Sequence, residues 1–206
     1  MQFETFAPLR EMPFISHAFT RRTVDDTKAD DYEARTVAAL GLPSDRFASA
    51  EQTHGNGVAV VAKTTGERVP MVDALVTNTR NLPLVIRCAD CAAVFLVDRT
   101  GPAIGLIHSG KKGTLANVVG ETVLRMQNAF GTRPGDCLAL ISPSIGPCHY
   151  EMDIWSAIDT QLREVGVRDI HNPRVCTACN LDRYFSYRAE HGHTGRMLAI
   201  LSLTSP

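Results

Sequence analysis

The sequence predicts a mixed α/β domain of the α+β class, with one central mixed β-sheet flanked by helices. The composition, 44% hydrophobic and 21% charged residues in a chain of 206, is that of an ordinary globular protein. Short β-rich segments fill the stretch from Phe47 to His108, and longer segments with helical periodicity follow it. A chain of this length suits one domain or two small ones that share a core, and we expect a single domain over residues 1–206.

The first predicted element is a helix over about Asp30 to Leu40, which ends at Gly41 with Pro43 just beyond it. A glycine directly after a helix and a proline shortly after that are both typical of helix C-termini. The charged stretch from Arg22 to Glu33 is expected to form a surface loop that leads into this helix.

Five runs of apolar or β-branched residues, separated by turn residues such as Gly55-Asn56-Gly57, are predicted as strands. The last three runs are almost continuously apolar, which indicates strands buried at the centre of a sheet. The predicted strands are Val58–Ala62, Ala74–Thr77, Leu84–Arg87, Val94–Val97 and Ile104–His108.

Helices and strands alternate in the rest of the chain. A helix is predicted to open at Gly113 and to reach about Phe130, because its apolar residues recur at helical spacing and Gly131 follows. The other predicted elements are a strand at Leu138–Ser142, a helix at Ile154–Val165, a short helical segment near Asp182–Arg188 and a strand at Met197–Leu203.

The charge balance argues against nucleic-acid and membrane partners. The chain carries 21 basic and 22 acidic residues, a net charge of −1, so no excess of positive charge would attract nucleic acid or anionic lipid. No apolar run reaches the ~18 residues that span a bilayer, and Met1-Gln2-Phe3-Glu4-Thr5 lacks the basic and apolar blocks of a signal peptide. We therefore expect a cytoplasmic enzyme or binding domain.

Two pairs of cysteines have C-x-x-C spacing, Cys88 with Cys91 and Cys176 with Cys179. In a chain without a signal sequence, cysteines are interpreted as thiols or metal ligands rather than disulfides. A structural zinc held by both pairs is disfavoured because the pairs lie far apart in the sequence. A thioredoxin-like site is disfavoured because neither pair opens a helix in a β-α-β unit. Packing is the expected role of Cys176 and Cys179.

His54, Cys91 and His108 lie at predicted strand ends beside tight turns, where functional groups are often placed. One thiolate and two imidazoles with an open fourth position form the donor set of a catalytic zinc. Two alternatives stay open: polar residues that are merely satisfied at strand ends, and a metal-free cysteine hydrolase with Cys91 as nucleophile and a histidine as base. Asp90, beside Cys91, is a candidate general acid or base, or a residue that caps a turn or orients a ligand.

The segment that follows His108, from Gly110 through Lys111 and Lys112 to Gly113, is a candidate anion site. Backbone N–H groups at the start of the predicted helix, together with the two lysines, would bind an anion. The alternative is a solvated basic helix start. The spacing also imitates a phosphate loop, but Lys112 stands where a magnesium-binding Ser or Thr should be, so that motif is rejected.

Several other residues are considered for a site and mostly assigned to packing or to the surface. His149 is a candidate pocket residue, Cys137 and Cys148 are expected to be small core residues, and Trp155 is expected to anchor a helix in the core. Ion pairing rather than catalysis is expected of Arg188 and Arg196. Surface or loop placement is expected for His17, His171, His191 and His193.

The candidate residues lie within longer strings that occur in one order from Gln52 onward. These strings are Gln52-Thr53-His54-Gly55, Asp73-Ala74-Leu75-Val76-Thr77, Ala89-Asp90-Cys91, Ala103-Ile104-Gly105-Leu106-Ile107-His108-Ser109-Gly110, Ile145-Gly146-Pro147-Cys148-His149-Tyr150-Glu151, Cys176-Thr177-Ala178-Cys179, Phe185-Ser186-Tyr187-Arg188 and Thr194-Gly195-Arg196. In these strings the chain resembles the YfiH/YlmD family, long labelled polyphenol oxidase or laccase domain and now regarded as purine nucleoside phosphorylases with adenosine deaminase activity.

The resemblance implies one YfiH-like domain that converts adenosine, inosine or methylthioadenosine and phosphate to free base and ribose 1-phosphate. It implies Zn²⁺ as cofactor, with His54, Cys91 and His108 as ligands, and it places Arg35 near the substrate. The phosphate binders would then be Arg35 and the loop of residues 110–113 with its two lysines. Adenosine deamination would need hydroxide, which zinc supplies by lowering the pKa of water. The implied partners are a purine nucleoside and phosphate, and no oligomeric state is indicated.

The chain departs from the family's pattern at three places. Lys111 and Lys112 replace a Trp-Arg pair, which removes a stacking surface and a bidentate guanidinium. Segments expected after Arg22 and between Glu151 and Asp153 are missing. These departures motivate another hypothesis, a paralogue that keeps fold and zinc but binds a purine or a partner without turnover. A copper oxidase is disfavoured because it needs several His-rich sites, and the chain has 7 scattered histidines.

Overall fold

The computed structural model describes residues 2–23, 27, 29–63 and 68–204, and these residues form strands and five α-helices. The strands are β1 (Phe3–Glu4), β2 (Ile15–Thr20), β3 (Ala48–Ser49), β4 (Val58–Val60), β5 (Ala74–Thr77), β6 (Leu84–Cys88), β7 (Ala92–Asp98), β8 (Ala103–Ser109), β9 (Cys137–Ile141), β10 (Asp169–His171) and β11 (Met197–Leu203). The helices are α1 (Ala7–Arg10), α2 (Tyr32–Ala39), α3 (Lys111–Leu115), α4 (Val118–Phe130) and α5 (Ile154–Glu164), and a 3₁₀ turn spans Pro134–Asp136. None of these helices is long and apolar enough to cross a membrane.

The strands form two mixed sheets. The first has the order β1-β2-β11-β6-β3, antiparallel except where β3 pairs with β6. The second has the order β10-β9-β7-β8-β5-β4, in which β4 runs parallel to β5 and β10 parallel to β9. The predicted mixed α/β class is confirmed, while the strands expected in one central sheet are divided between two.

Three hydrophobic clusters show that the fold is layered as helix, sheet, sheet and helices. Alternate residues of both sheets, such as Ile86 of β6 and Phe95 of β7, share one core between the sheets. The residue before Phe95 in β7, Val94, faces α4 and α5, and Val85 of β6 faces α2 on the opposite outer side. Because both faces of these strands are covered, their sequences are apolar runs without alternation.

The predicted helix from Gly113 to Phe130 is two helices in the structure, α3 and α4. Asn117 separates them in the left-handed conformation, with φ of 57°. Its side-chain oxygen accepts a hydrogen bond from the Gly120 N–H, so this residue is the N-cap of α4. Gly131 ends α4 with φ of 71°, as predicted.

The helical segment predicted near Asp182–Arg188 is wrong, since the structure has turns there. Side chains capture the backbone donors that a helix would use. The Glu190 carboxylate accepts the Ser186 N–H at 2.9 Å, and the Asp90 carboxylate accepts the Arg188 N–H at 2.7 Å. Side-chain acceptors of this kind compete with helical hydrogen bonds.

The prediction of a surface position for His17 is wrong, because it lies buried on β2. Its Nε2 accepts the Phe6 N–H at 2.8 Å. The short strands β1, β3 and β10 have too few residues for a periodic pattern, and the strand at Val58 ends at Val60 rather than Ala62. Of the charged stretch at 22–33, residues 24–26 and 28 lie outside the described residues, and Thr27 and Glu33 are buried rather than on the surface.

Candidate metal centre

Strand pairing and one loop bring His54, Cys91 and His108 together. His108 of β8 lies opposite Ala93 of β7, and Cys91 directly precedes β7. His54 lies in the loop before β4, with a left-handed φ of 62°. One donor atom from each of the three side chains lies within 4.8 Å of the others, and the two imidazole rings are 4.9 Å apart, edge to face. Two imidazoles and a thiolate at this separation can hold one metal ion and leave a coordination position open.

A fully buried carboxylate, Asp73, fixes two of these three residues. Its Oδ1 accepts the His54 N–H at 2.9 Å and lies 2.8 Å from His108 Nδ1. Its Oδ2 accepts the N–H groups of Thr53 at 3.1 Å and Gly55 at 2.8 Å. Because Nδ1 of His108 donates to Asp73, Nε2 is the ring nitrogen available to a metal, as in carboxylate–histidine–metal arrangements. Sequence reasoning passed over Asp73, whose only signal is an acid placed directly before an apolar strand.

Hydrogen bonds within the site set its charge state. Burial by itself would raise the pKa of the Cys91 thiol, but hydrogen bonds to His108 and His54 lower it to about 6. Burial by itself would lower the pKa of His108, but hydrogen bonds to Asp73 and Cys91 raise it to about 9. At neutral pH the metal-free site therefore holds a thiolate beside an imidazolium. The thiolate is the form that binds metals and also the form that acts as a nucleophile.

Two glycines let the loop after β8 approach the site. A Cβ atom at Gly110 would lie 2.6 Å from Cys91 Sγ and 3.5 Å from His54 Cδ2. A Cβ atom at Gly113 would lie 2.9 Å from the Gly55 carbonyl oxygen. Residues with side chains at these positions would push apart the loops that carry the three donors.

The loop of residues 110–113 differs from the predicted anion site. The helix begins at Lys111, not at Gly113, and α3 has only five residues. Lys111 Nζ lies 2.8 Å from Glu151 Oε1, an ion pair that raises the pKa of Lys111. The other oxygen of Glu151 lies 3.3 Å from Arg188. Lys111 is thus committed to an acidic partner at the surface, whereas Lys112 is exposed beside it.

Asp90 uses both carboxylate oxygens to hold neighbouring loops. Oδ1 accepts the Thr177 hydroxyl at 2.7 Å, and Oδ2 accepts the Arg188 N–H at 2.7 Å. The residue itself is buried and has a left-handed φ of 83°. These contacts favour the structural alternative for Asp90, a capped turn that orients the adjacent Cys91, over general acid–base catalysis.

The structure does not place Arg35 against the three donors. Arg35 is partly exposed on α2 and pairs with Asp31 at 3.1 Å. Its neighbour Glu33 is buried and pairs with Arg87 at 2.5 Å, and the Arg87 N–H binds the Gln52 side chain at 2.8 Å. The connection from α2 to the loop of His54 therefore runs through Glu33, which sequence reasoning did not select.

His149 belongs to a second cluster instead of the one around Cys91. With Cys148, Cys176 and Cys179 it forms a group whose donor atoms all lie within 4.8 Å of one another. Cys148 is exposed, so its prediction as a core residue is wrong. The structural-zinc hypothesis that joined both C-x-x-C pairs is also wrong in its ligands, since Cys88 is buried outside both clusters. Adjacent Cys and His in one loop and a C-x-x-C in another were the available signal.

Two core assignments from the sequence are confirmed. Cys137 and Trp155 are buried in the cluster beneath α4 and α5. Arg188 pairs with Glu151, as expected. Arg196 instead donates to backbone carbonyl oxygens, 2.8 Å from that of Gly195, and its guanidinium lies over the Tyr187 ring.

Comparison with known proteins matches almost the whole chain. The profile of the family described as multi-copper polyphenol oxidoreductase laccase matches residues 9–153 and 149–204. The chain is 28% identical over 230 residues to purine nucleoside phosphorylase YlmD of Geobacillus stearothermophilus, covering 92% of this chain and 84% of that one. It is 32% identical over 242 residues to a purine nucleoside phosphorylase of Deinococcus radiodurans, covering 95% and 93%.

The fold is also that of one of these relatives. The crystal structure of YlmD from Geobacillus stearothermophilus superposes with a TM-score of 0.89 at 24% identity, covering 98% of this chain and 99% of that one. The two segments of the family match meet at residues 149–153. This is the place where a segment of the family's pattern is missing from the sequence, between Glu151 and Asp153. Both aligned lengths, 230 and 242, exceed the 206 residues of the chain, because the relatives carry residues that it lacks.

Proposed function

We propose that this chain, which belongs to the family described as multi-copper polyphenol oxidoreductase laccase, is a zinc-dependent purine nucleoside phosphorylase. The proposed substrates are adenosine, inosine or methylthioadenosine with phosphate, and the products are the free purine and ribose 1-phosphate. The observation that carries the proposal is the convergence of His54, Cys91 and His108, with His108 oriented by the buried Asp73. The names of the aligned relatives support the substrate class.

The donor chemistry fits zinc. His54, Cys91 and His108 would hold the ion, and the hydrogen bond from His108 to Asp73 is the outer contact that metal-ligating histidines usually make. When bound, zinc supplies Lewis-acid chemistry and lowers the pKa of water, the property that the proposed adenosine deamination needs. Multi-copper oxidation requires several His-rich sites. The two clusters found among the described residues contain three histidines between them, so a copper oxidase is disfavoured.

Phosphorolysis breaks the glycosidic C–N bond and forms a C–O bond between ribose and phosphate. The bonding pair leaves with the purine nitrogen, which then takes up a proton, and positive charge develops on the sugar. The nucleophile is an anion, so the site needs cations that are not already neutralised. Lys111 is paired with Glu151 and Arg35 is paired with Asp31, so of the three cations we assign phosphate binding to Lys112. We assign Asp90 to positioning, since both of its oxygens are engaged.

A metal-free cysteine hydrolase is the second candidate. One observation favours it: Cys91, His108 and Asp73 are connected in the order nucleophile, base and orienting acid. A third possibility, a zinc-binding paralogue without turnover, is supported by the engagement of Lys111 and by the missing residues.

The test compares the wild-type chain with Cys91→Ala and with Cys137→Ala, a matched control whose cysteine is buried outside both clusters. Zinc content is measured, and adenosine and inosine are supplied with and without phosphate. We expect Cys91→Ala to lose one equivalent of zinc and all release of free base, while Cys137→Ala keeps both. Zinc without release of free base would establish the paralogue. Release of free base without phosphate that survives chelation of zinc, but is lost when Cys91 is alkylated, would establish the hydrolase.

A further inference from the structure

The second cluster lies outside the site used in the proposed function. We propose that Cys148, His149, Cys176 and Cys179 form a closed structural zinc site with three sulfur ligands and one nitrogen ligand. His149 Nδ1 lies 3.3 Å from the sulfur of Cys148, 3.4 Å from that of Cys179 and 3.8 Å from that of Cys176. The sulfurs of Cys148 and Cys179 are 3.5 Å apart.

These distances match the edges of a zinc tetrahedron. Zinc–sulfur bonds of about 2.3 Å and zinc–nitrogen bonds of about 2.0–2.1 Å place two sulfur ligands about 3.8 Å apart, and a sulfur and a nitrogen about 3.6 Å apart. Each separation given above lies within about 0.3 Å of these values. Four protein ligands fill the tetrahedron, which is typical of structural rather than catalytic zinc.

A disulfide does not account for the arrangement. A sulfur–sulfur bond is about 2.05 Å long, far shorter than the 3.5 Å between Cys148 and Cys179. All of the cysteines are free thiols in the structure. The imidazole of His149 also has a place in a metal site, where it completes the coordination, and no role in a disulfide.

Backbone contacts hold the four ligands ready. The two loops that carry them are joined by a bridge between Ser144 and Cys176. The Gly146 N–H donates to Cys176 Sγ at 3.2 Å, and the Asn180 side chain donates to the Cys176 carbonyl oxygen at 2.8 Å. An N–H group that donates to a thiolate stabilises it as a ligand, so this part of the site exists before the metal binds.

The same two loops support the residue next to Cys91. The Ile145 N–H donates to the Asp90 carbonyl oxygen at 2.8 Å, and the Thr177 hydroxyl donates to the Asp90 carboxylate at 2.7 Å. Zinc at the second cluster would therefore lock the loops that hold Asp90, and through it the backbone at Cys91. Because three of the four ligands are exposed, the ion is accessible to chelators in solution.

The test counts zinc in the full chain purified under reducing conditions. We expect two equivalents in the wild type, one in Cys91→Ala, one in Cys179→Ser and none in the double variant. X-ray absorption of Cys91→Ala, whose second cluster is intact, should show zinc with three sulfur ligands and one nitrogen. This measurement holds even if Cys179→Ser fails to fold.

Two results would overturn the proposal. One is a wild type with a single equivalent that disappears in Cys91→Ala, and the other is a disulfide between Cys148 and Cys179 in the reduced preparation. The proposed function is judged separately, by the equivalent and the activity that depend on Cys91. The two ideas can therefore fail independently.

Discussion

Replacement of Asp73 by asparagine probes the residue that organises the candidate metal centre. The asparagine amide has the size of the carboxylate, but its N–H₂ group donates hydrogen bonds where one carboxylate oxygen accepted them. In the Oδ2 position, the amide nitrogen would face the N–H groups of Thr53 and Gly55. In the Oδ1 position, it would face the His54 N–H and force His108 into the tautomer with hydrogen on Nε2, the nitrogen a metal needs.

The size of the effect follows from these contacts. The Oδ2 orientation leaves two partly buried N–H donors facing the amide N–H₂ group, and the Oδ1 orientation leaves one. Each unpaired donor costs about 1–3 kcal/mol. We therefore expect the free energy of unfolding of metal-free Asp73→Asn to fall by about 1–6 kcal/mol, depending on the orientation of the amide. The loss of a charged outer partner for His108 should also weaken zinc binding at the Cys91-dependent site about 10–100-fold.

The assay is urea unfolding of the metal-free chain together with zinc competition against a chromophoric chelator. The matched control is Asp98→Asn, since Asp98 is also buried and accepts the N–H groups of Thr100 and Gly101 at 2.9 Å each, without contact to a histidine. Zinc affinity should be unchanged in the control. Equal zinc affinity in wild type and Asp73→Asn would refute the orienting role of Asp73.

Three further predictions concern the glycine loop, a buried histidine and the thiol. Gly110→Ala should weaken zinc binding at least about tenfold, because the new methyl would lie 2.6 Å from Cys91 Sγ. In the control Gly135→Ala the new methyl has no atom within 4 Å, so zinc affinity should be unchanged. Equal losses of zinc affinity in the two variants would contradict the close approach at Gly110. Burial lowers the pKa of His17 to about 4, so this side chain binds protons more readily in the unfolded chain. The free energy of unfolding should therefore fall by about 1.6 kcal/mol through this group between pH 6.5 and 5. In urea unfolding, the free energy of unfolding of His17→Gln should fall less over this pH range than that of the wild type. Parallel pH profiles of the two proteins would refute the prediction. In zinc-depleted protein, the rate of Cys91 alkylation, followed by peptide mass spectrometry, should rise with pH around a midpoint near the pKa of about 6, because both imidazoles stabilise the thiolate. Bound zinc should protect Cys91 from alkylation. An ordinary midpoint near 8.5, or equal alkylation with and without zinc, would contradict this prediction.

Many elements of the fold can be predicted from the sequence because they are apolar runs of residues bounded by turn residues. The strands β5 and β11 match their predicted bounds, and Gly41 and Gly131 end their helices. The division of the strands into two sheets cannot be predicted in this way, because a strand covered by a second sheet and a strand covered by a helix have the same kind of apolar sequence. Side-chain acceptors such as Glu190, which override helical propensity, also have no local signature.

The site shows the same limit. Residue types and strand ends were enough to select His54, Cys91 and His108 as candidates. The role of Asp73 depends on three backbone N–H groups of a distant loop, which only the folded chain brings to it. The second cluster needs two loops that meet at the bridge between Ser144 and Cys176, so its two halves, Cys148-His149 and the pair Cys176 and Cys179, have no visible connection in the sequence.

The zinc dependence of phosphorolysis can be measured by removing zinc from the wild-type chain and returning it stepwise, with ribose 1-phosphate formation from inosine and phosphate followed at each step. We expect ribose 1-phosphate formation to be lost on chelation and to return in proportion to the zinc equivalent that Cys91→Ala cannot bind. Full activity in the zinc-free chain, or no ribose 1-phosphate when that equivalent is filled, would contradict this expectation.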